Sequence, residues 1–267
     1  MTSDRKGLKN FVKNRYPGLV PYLRAGWKRA GRMGVGAKAL PSATRKLFGL
    51  RNPKIFCIGR NKTGTTSIKK VLENFGYRVG NQRAAELLME DWGKRDFRRL
   101  IRYCHTADAF QDVPFSYAYT FQAMDAAFPG SKFILTVRDS DDQWYQSLVR
   151  FHSRRLLQRT GEKRVPALED VRTDPYLYPG YLWRVRELVG VASDLSEAFP
   201  EKPLKDYYNW YNAMVEDYFR HRPTDLLVLN LADANAMQRL CEFLSSRALK
   251  IPKSLFNINL CLIFSED

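Results

Sequence analysis

The chain has little of what would indicate a secreted, metal-binding or membrane-spanning protein. Its 267 residues include only four cysteines, with no CxxC pair, and three histidines. We therefore expect no disulfide framework and no metal site, and reduced thiols favour a cytoplasmic location. The longest apolar run near a terminus, residues 260–264, is far too short to cross a bilayer. The N-terminal stretch is charged and lacks the apolar segment of a signal peptide.

Acidic residues are scarce in residues 1–51, which contain 13 lysines and arginines and one acid, Asp4. This segment carries most of the net charge of +16. We interpret residues 1–50 as a basic N-terminal arm and residues 51–267 as one domain. The aromatic residues interleaved in the arm favour an anionic membrane surface as its partner, which would make the protein peripheral there. Packing against the protein's own domain is the alternative, and we expect no nucleic-acid partner.

Strand and helix patterns alternate through the rest of the chain. The predicted strands cover residues 54–58, 109–113, 132–137 and 225–230. The predicted helices cover residues 65–74, 83–103, 116–127, 140–158, 182–191, 205–220 and 236–245. This order predicts a three-layer α/β fold, a central parallel sheet with helices on both faces. The aromatic residues between 207 and 219 are expected mainly in its core.

The most informative motif is Gly59-Arg-Asn-Lys-Thr-Gly-Thr-Thr-Ser67, between the first predicted strand and helix. A loop in this position is an anion cradle, because backbone N–H groups and the helix dipole point at the bound group. A loop for ATP or GTP, GxxxxGK[ST], would carry lysine where this chain has Thr65. Here Lys62 lies two residues before Gly64. This shift argues against a nucleoside triphosphate and favours another phosphorylated donor.

The segment Asn61–Ser67 resembles the 5′-phosphosulfate loop of sulfotransferases that use 3′-phosphoadenosine 5′-phosphosulfate (PAPS). Segments 108–115, 128–139 and 226–244 extend the resemblance to the bacterial-type branch of that family. The resemblance implies a P-loop NTPase-like sulfotransferase fold, with PAPS as donor and 3′-phosphoadenosine 5′-phosphate (PAP) as product. The acceptor would be a hydroxyl, or less readily an amine, of a small molecule, lipid or carbohydrate. The residues implied for donor binding in the loop are Arg60, Asn61, Lys62, Thr63, Gly64, Thr65, Thr66 and Ser67.

Arg138 ends the third predicted strand, and Ser147 lies on the helix that follows. In the family, an arginine and a serine in these places bind the 3′-phosphate. Ser147 comes nine residues after Arg138 where eight are expected, and one residue turns a helical side chain by about 100°. Either the helix begins one residue late or Ser140 takes part instead. Pairing of Arg138 with a nearby aspartate, Asp139 or Asp142, is the alternative.

Sulfuryl transfer needs a cation for the leaving oxygen and a base for the acceptor's proton. Lys62 is the predicted cation. Asp112 is the first candidate for the base because it lies at the carboxyl end of the second predicted strand, and His105 and Asp108 are the alternatives. An aspartate before proline can also be a plain turn-former. His152 is expected at the surface or in packing, with a small chance of lining the acceptor cleft.

Two other functions stay open at this point. A P-loop nucleotide kinase or NTPase would need a lysine after Gly64 and an acidic strand end that holds magnesium. A donor-binding or membrane-adaptor protein on the same fold would need no chemistry at all. The sequence leaves the acceptor and the oligomeric state open.

Overall fold

The computed structural model describes residues 53–190 and 197–245, and a parallel sheet lies at their centre. Its four strands are β1 (Ile55–Cys57), β2 (Ala109–Gln111), β3 (Lys132–Val137) and β4 (Leu226–Asn230). Their order is β2-β1-β3-β4, and every neighbouring pair is parallel. This confirms the α/β prediction, with β1 and β2 shorter than expected.

Helices connect the strands. They are α1 (Thr65–Asn74), α2 (Gln82–Glu86), α3 (Met89–Gly93), α4 (Arg98–Tyr103), α5 (Thr120–Ala127), α6 (Asp141–Thr160), α7 (Leu168–Thr173), α8 (Tyr181–Val189), α9 (Glu201–Phe219) and α10 (Ala236–Ser245). The helical region expected between residues 83 and 103 is divided into three short helices, α2 to α4. The other predicted helices agree with the structure to within a few residues.

The two faces of the sheet are packed differently, because successive strand residues point to opposite sides. Phe56 and Phe133 lie on the face covered by α5 and α9, where most of the buried aromatic rings are found. Ile55, Cys57 and Ile134 lie on the other face, against the aliphatic sides of α1 and α10. The three-layer arrangement is therefore confirmed.

The aromatic residues of α9 belong mainly to the core, as expected. Tyr208, Tyr211 and Phe219 are buried, whereas Trp210 is exposed. The Tyr211 hydroxyl donates to the Ile58 carbonyl at 2.8 Å, at the point where β1 ends. The helix therefore supports the loop that leaves β1.

In residues 53–190 and 197–245, we find no helix with the length and apolar character needed to span a bilayer. The proposed basic arm, residues 1–50, lies outside the described residues.

Candidate active site

The loop between β1 and α1, residues 59–64, is fixed by polar contacts to β3 and α6. The Thr63 hydroxyl donates to the Arg60 carbonyl at 2.5 Å and lies 2.6 Å from the Thr136 hydroxyl. Trp144 Nε1 donates to the Asn61 carbonyl at 2.9 Å. A Cβ on Gly59 would lie 1.9 Å from Thr136 Oγ1, so only glycine allows this approach. The side chain of Thr63, a predicted donor ligand, is thus used to build the loop.

Lys62 has a backbone conformation that few side chains adopt. Its φ is 71°, in the left-handed region that non-glycine residues rarely occupy. Arg138 Nε holds this conformation by donating to the Lys62 carbonyl at 2.9 Å. Lys62 Nζ lies 3.4 Å from the centroid of the Phe151 ring. Strain of this kind concentrates at functional sites, where surrounding contacts maintain it.

The start of α1 completes the anion cradle. Its first helical hydrogen bond joins Ile68 N to the Gly64 carbonyl at 3.1 Å, so the preceding amides of the first turn point out of the helix end. That turn contains no acidic residue to compete with an anion. Gly64 has φ 95°, and a Cβ there would lie 2.3 Å from Leu231 Cδ1. The N-terminus of α1 is therefore available to a phosphate or sulfate group.

Asp112 lies across this loop, at the end of β2, and also has a left-handed φ, 62°. Val113 N donates to Asp112 Oδ1 at 2.9 Å, and the Thr65 hydroxyl lies 3.5 Å from Oδ2. Burial raises the pKa of the Asp112 carboxyl, and the negative charge of Glu86 raises it further. The cations Lys62 and Arg60 act in the opposite direction. A carboxyl with a raised pKa beside a lysine suits a general base.

Glu86 is a buried carboxylate of this site that sequence reasoning did not identify. Tyr176 donates to Glu86 Oε1 at 2.9 Å, and Gln82 Nε2 donates to the same oxygen at 3.2 Å. Gln82 Nε2 also reaches the Val113 carbonyl at 3.1 Å, and Gln111 donates to Gln82 Oε1 at 3.2 Å. This network holds Glu86 close enough to influence Asp112.

Arg60 lies behind the loop in an aromatic cage. Its guanidinium carbon is 4.3 Å from the centroid of Tyr117 and 5.0 Å from that of Tyr207. NH1 donates to the Ser116 carbonyl at 2.8 Å, but Nε is buried without a hydrogen-bond partner among the described residues. The cage therefore holds a buried positive charge next to the anion cradle.

Arg138 lies where β3 ends, and its backbone N–H donates to the Tyr208 hydroxyl at 3.0 Å. Pairing with the neighbouring aspartates is not observed, since Asp139 accepts from Asn230 and Gln143 and Asp142 pairs with Lys205. Ser140 caps α6, its hydroxyl accepting from Gln143 N at 3.1 Å.

Ser147 is half-buried on α6, three residues after Trp144 and four before Phe151, on the side that faces the loop. Trp144 itself is stacked on Tyr208 at 4.5 Å, which leaves it a structural role. The roles of Arg138 and Ser147 at a 3′-phosphate stay predictions.

A cavity of about 450 Å³ opens beside the loop. Of the residues selected from the sequence, Arg60, Asn61, Lys62, Thr66 and Asp112 line it. Among the described residues, no group of three or more His, Cys, Asp or Glu is arranged to hold a metal ion.

The structure does not bring His105, an alternative candidate base, to the cavity. It is exposed and follows α4, ahead of β2, with its ring 5.3 Å from that of Phe128. Because His105 precedes the first residue of β2, it lies at the amino edge of the sheet. Asp108 lies on that edge too, bound to Arg78 at 3.2 Å. Neither faces the cavity, which leaves Asp112 as the candidate base.

Five residues of α6 line the cavity, and among them only His152 was considered for the acceptor cleft from the sequence. They are Trp144, Leu148, Phe151, His152 and Arg155. Their spacing of three and four residues marks one helix face, and this signal could have identified them. His152, expected at the surface or in packing, packs against Phe199 at 4.9 Å. Burial, with Arg155 and Lys62 nearby, lowers the pKa of His152 to about 3, so the ring is neutral at neutral pH.

Comparison with known proteins agrees with this geometry. A family model described as a sulfotransferase domain matches residues 54–256, which covers every strand and helix of the described structure. No curated protein sequence matches the chain significantly. From the match over most of its length, the chain belongs to the sulfotransferase domain family.

Proposed function

We propose that the protein transfers a sulfuryl group from PAPS to a hydroxyl, or an amine, of a small-molecule, lipid or carbohydrate acceptor and releases PAP. The observation that carries this proposal is the pair Lys62 and Asp112. Both follow neighbouring parallel strands, both have left-handed φ, and both line one cavity. A cation and a base facing one space are what sulfuryl transfer requires.

The residues present fit a donor with two anionic ends. Lys62, the buried Arg60 and the amides at the start of α1 form a positive cradle for the 5′-phosphosulfate. Arg138 would bind the 3′-phosphate, with two parallel hydrogen bonds available to its guanidinium. Ser147 would add a hydroxyl from α6.

When bound, PAPS supplies a sulfuryl group that leaves the bridging phosphate oxygen in a loose, in-line transfer like that of a phosphoryl group. The acceptor oxygen forms the new bond to sulfur, and the bond from sulfur to the bridging oxygen breaks. As the acceptor oxygen bonds to sulfur and loses electron density, Asp112 takes the proton from that oxygen. Asp112 later releases the proton to solvent. Lys62 offsets the negative charge that develops on the departing phosphate oxygen.

Calorimetry separates this proposal from a nucleotide kinase. We expect PAP to bind without metal and ATP with magnesium to bind weakly or not at all. Tight, magnesium-dependent ATP binding without PAP binding would favour the kinase. Transfer from ³⁵S-labelled PAPS to a mixed panel of phenols, alcohols, amines and sugars then tests for catalysis. PAP binding without transfer to any class would favour a non-catalytic donor-binding protein.

The location and the role of the arm are separate proposals. We propose a cytoplasmic protein whose residues 1–50 bind an anionic membrane surface, because 13 of the first 51 residues are basic and aromatic residues lie among them. Deleting residues 1–50 should weaken binding to phosphatidylserine vesicles at low salt, since exposed charges act over about a Debye length. Equal binding of the full and shortened chains in a flotation assay would rule out a lipid role for the arm.

A further inference from the structure

The cavity reaches from the loop residues expected to hold the phosphosulfate, Arg60, Asn61, Lys62 and Thr66, to the end of β2. Arg138 follows β3, and neither Arg138 nor Ser147 lines the cavity that the described residues form. Asp112 and Gln111 line it at the end of β2, on the opposite side of β1 in the strand order. The space beyond Lys62 is therefore where the acceptor, and not the adenosine, would bind.

Four helices contribute a hydrophobic wall to the cavity, next to which lie the side chains of Arg155 and Arg186. Its hydrophobic members are Leu148 and Phe151 of α6, Val171 of α7, Leu182, Val185 and Val189 of α8, and Leu204 of α9, with Phe199 just before α9. Side chains from separate helices that converge on one space make a shaped hydrophobic surface. Such a surface is typical of a small-molecule site in which a few polar groups set the orientation.

The polar groups of the cavity are mostly occupied by one another. Gln82, Glu86 and Tyr176 form hydrogen bonds within their own network. Among the lining residues that the structure describes, Oε1 of Gln111 and Nε of Arg60, Arg155 and Arg186 are buried without a hydrogen-bond partner. Of the two arginines on the far wall, Arg155 pairs with Asp174 at 2.7 Å and Arg186 donates to the Ala198 carbonyl at 2.6 Å. A sugar would leave those of its hydroxyl groups that face the hydrophobic side chains of the cavity without partners.

We infer that the acceptor is a hydrophobic hydroxyl compound and not a carbohydrate. Its alkyl or aryl body would lie against the hydrophobic side chains of α6 to α9, and its one hydroxyl would lie at Asp112. The inference rests on the proposed sulfotransferase function and names its substrate class. The Phe151 ring lines the cavity, with Lys62 Nζ 3.4 Å from its centroid. A hydroxyl that enters along this ring reaches the cation and the carboxylate together.

A series of 4-alkylphenols tests the inference, because chain length hardly changes the reactivity of the phenol. With labelled PAPS, we expect KM to fall about three- to fourfold for each added methylene until the cavity is filled. Glucose and N-acetylglucosamine should be poor acceptors. A flat response to chain length, transfer to sugars in preference to alkylphenols, or PAP binding with no transfer to any alkylphenol would each overturn it.

A matched pair of variants locates the effect. Leu182→Gln places an amide on the wall, whereas Leu157→Gln makes the same change on an exposed part of α6. Leu182→Gln should raise KM for 4-octylphenol at least tenfold and leave PAP affinity and the KM for 4-methylphenol nearly unchanged. Leu157→Gln should change none of these. Equal behaviour of the two variants would contradict the assignment of this wall.

Two controls keep the outcomes distinct. Leu182 also packs against the cluster around Trp92, so a thermal melt must show that the variant folds. If the melt shows that Leu182→Gln does not fold, the nearly isosteric Val185→Thr replaces it, with a smaller expected rise in KM.

Calorimetry with PAP is run on every variant. If the protein without substitutions does not bind PAP, the proposed function is wrong, and this inference is wrong with it. If PAP binding is intact, the chain-length result tests the acceptor class alone.

Discussion

At the amino edge of the sheet, Lys54 and Asp108 precede β1 and β2, just as Lys62 and Asp112 follow these strands at the carboxyl edge. The amino-edge side chains are engaged in structural bonds. Lys54 Nζ donates to the Ala107 carbonyl at 2.6 Å, and Asp108 pairs with the exposed Arg78. None of these residues is among those with a left-handed φ.

The carboxyl edge holds the same types of residue in a different state. Lys62 and Asp112 have left-handed φ, the pKa of Asp112 is raised by burial, and that of His152 is lowered. All three line a cavity. Lys54 at the amino edge is buried as well. Neither residue type nor burial of charge therefore distinguishes the two edges, whereas backbone strain and a facing space do.

The largest difference is expected between the two lysines. Lys62→Ala should lower kcat/KM by about 10²- to 10³-fold, the loss of about 3–4 kcal/mol typical for one preorganised donor, with little change in the free energy of unfolding. Lys54→Ala should instead lower the free energy of unfolding and leave kcat/KM nearly unchanged. It removes a buried donor from the Ala107 carbonyl and should cost about 1–3 kcal/mol of stability. Turnover per folded molecule should persist.

Urea unfolding and assays with labelled PAPS measure both quantities on the same preparations. The comparison of the two edges is wrong if folded Lys54→Ala loses turnover as completely as Lys62→Ala does. It is also wrong if Lys62→Ala retains its rate.

The two aspartates should differ next. Asp112→Asn should lower kcat/KM by about 10²-fold, near the lower end of the range for general bases, because a loose transition state transfers little proton early. Asparagine tolerates the left-handed φ, so the loop should keep its shape. Asp108→Asn loses only an exposed ion pair and should retain full activity with a stability change below about 1 kcal/mol.

Stability provides a second readout for Asp112→Asn. The pKa of Asp112 is raised in the folded protein, so its ionised form is less favourable there than in the unfolded chain. The variant should therefore be more stable than the original at pH 8, and this gain should disappear in acid, where both states bind the proton. A variant that is less stable at every pH would show that the carboxylate is held for structure.

The sequence was enough to locate the loop between β1 and α1. An apolar strand, a glycine-bounded loop and an amphipathic helix are local signals, and the strand at β3 and the helix at α10 agree with their predicted bounds. Arg138 follows β3 directly, and Lys62 lies in the loop that follows β1. Their placement at one edge needs only the parallel order of the sheet.

The cavity depends on packing that no local pattern specifies. Glu86, Phe151 and Val185 come from three helices far apart in the chain, and only their tertiary contacts bring them to one cavity. The position of His105 has a related cause. The sequence places it seven residues from Asp112, but β2 lies between them and separates the two edges by about 10 Å at about 3.3 Å per residue.

Arg138 at the carboxyl edge and Arg78 at the amino edge should differ in their effect on nucleotide affinity. Arg138→Gln should weaken PAP about 10- to 100-fold, since hydrogen bonds to a charged group contribute about 1.5–3 kcal/mol. Binding of AMP, which has no 3′-phosphate, should weaken much less. Arg78→Gln, at the amino edge, should leave both affinities unchanged. Calorimetry gives the ratio of the two dissociation constants, and a ratio unaffected by Arg138→Gln would exclude this residue from the 3′-phosphate site.

The smallest expected effect concerns the carboxylate of Glu86, for which the comparison of the two edges has no partner residue. Glu86 raises the pKa of Asp112 through its negative charge, and only unprotonated Asp112 can act as the base. Activity should therefore rise with pH through a limb above the usual aspartate range, and Glu86→Gln should move that limb to lower pH with an unchanged plateau. Glu73→Gln, at an exposed ion pair with Lys69 on α1, is the control and should leave the profile in place. A limb that moves to higher pH, or moves equally in both variants, would mean that a group other than Asp112 takes the proton.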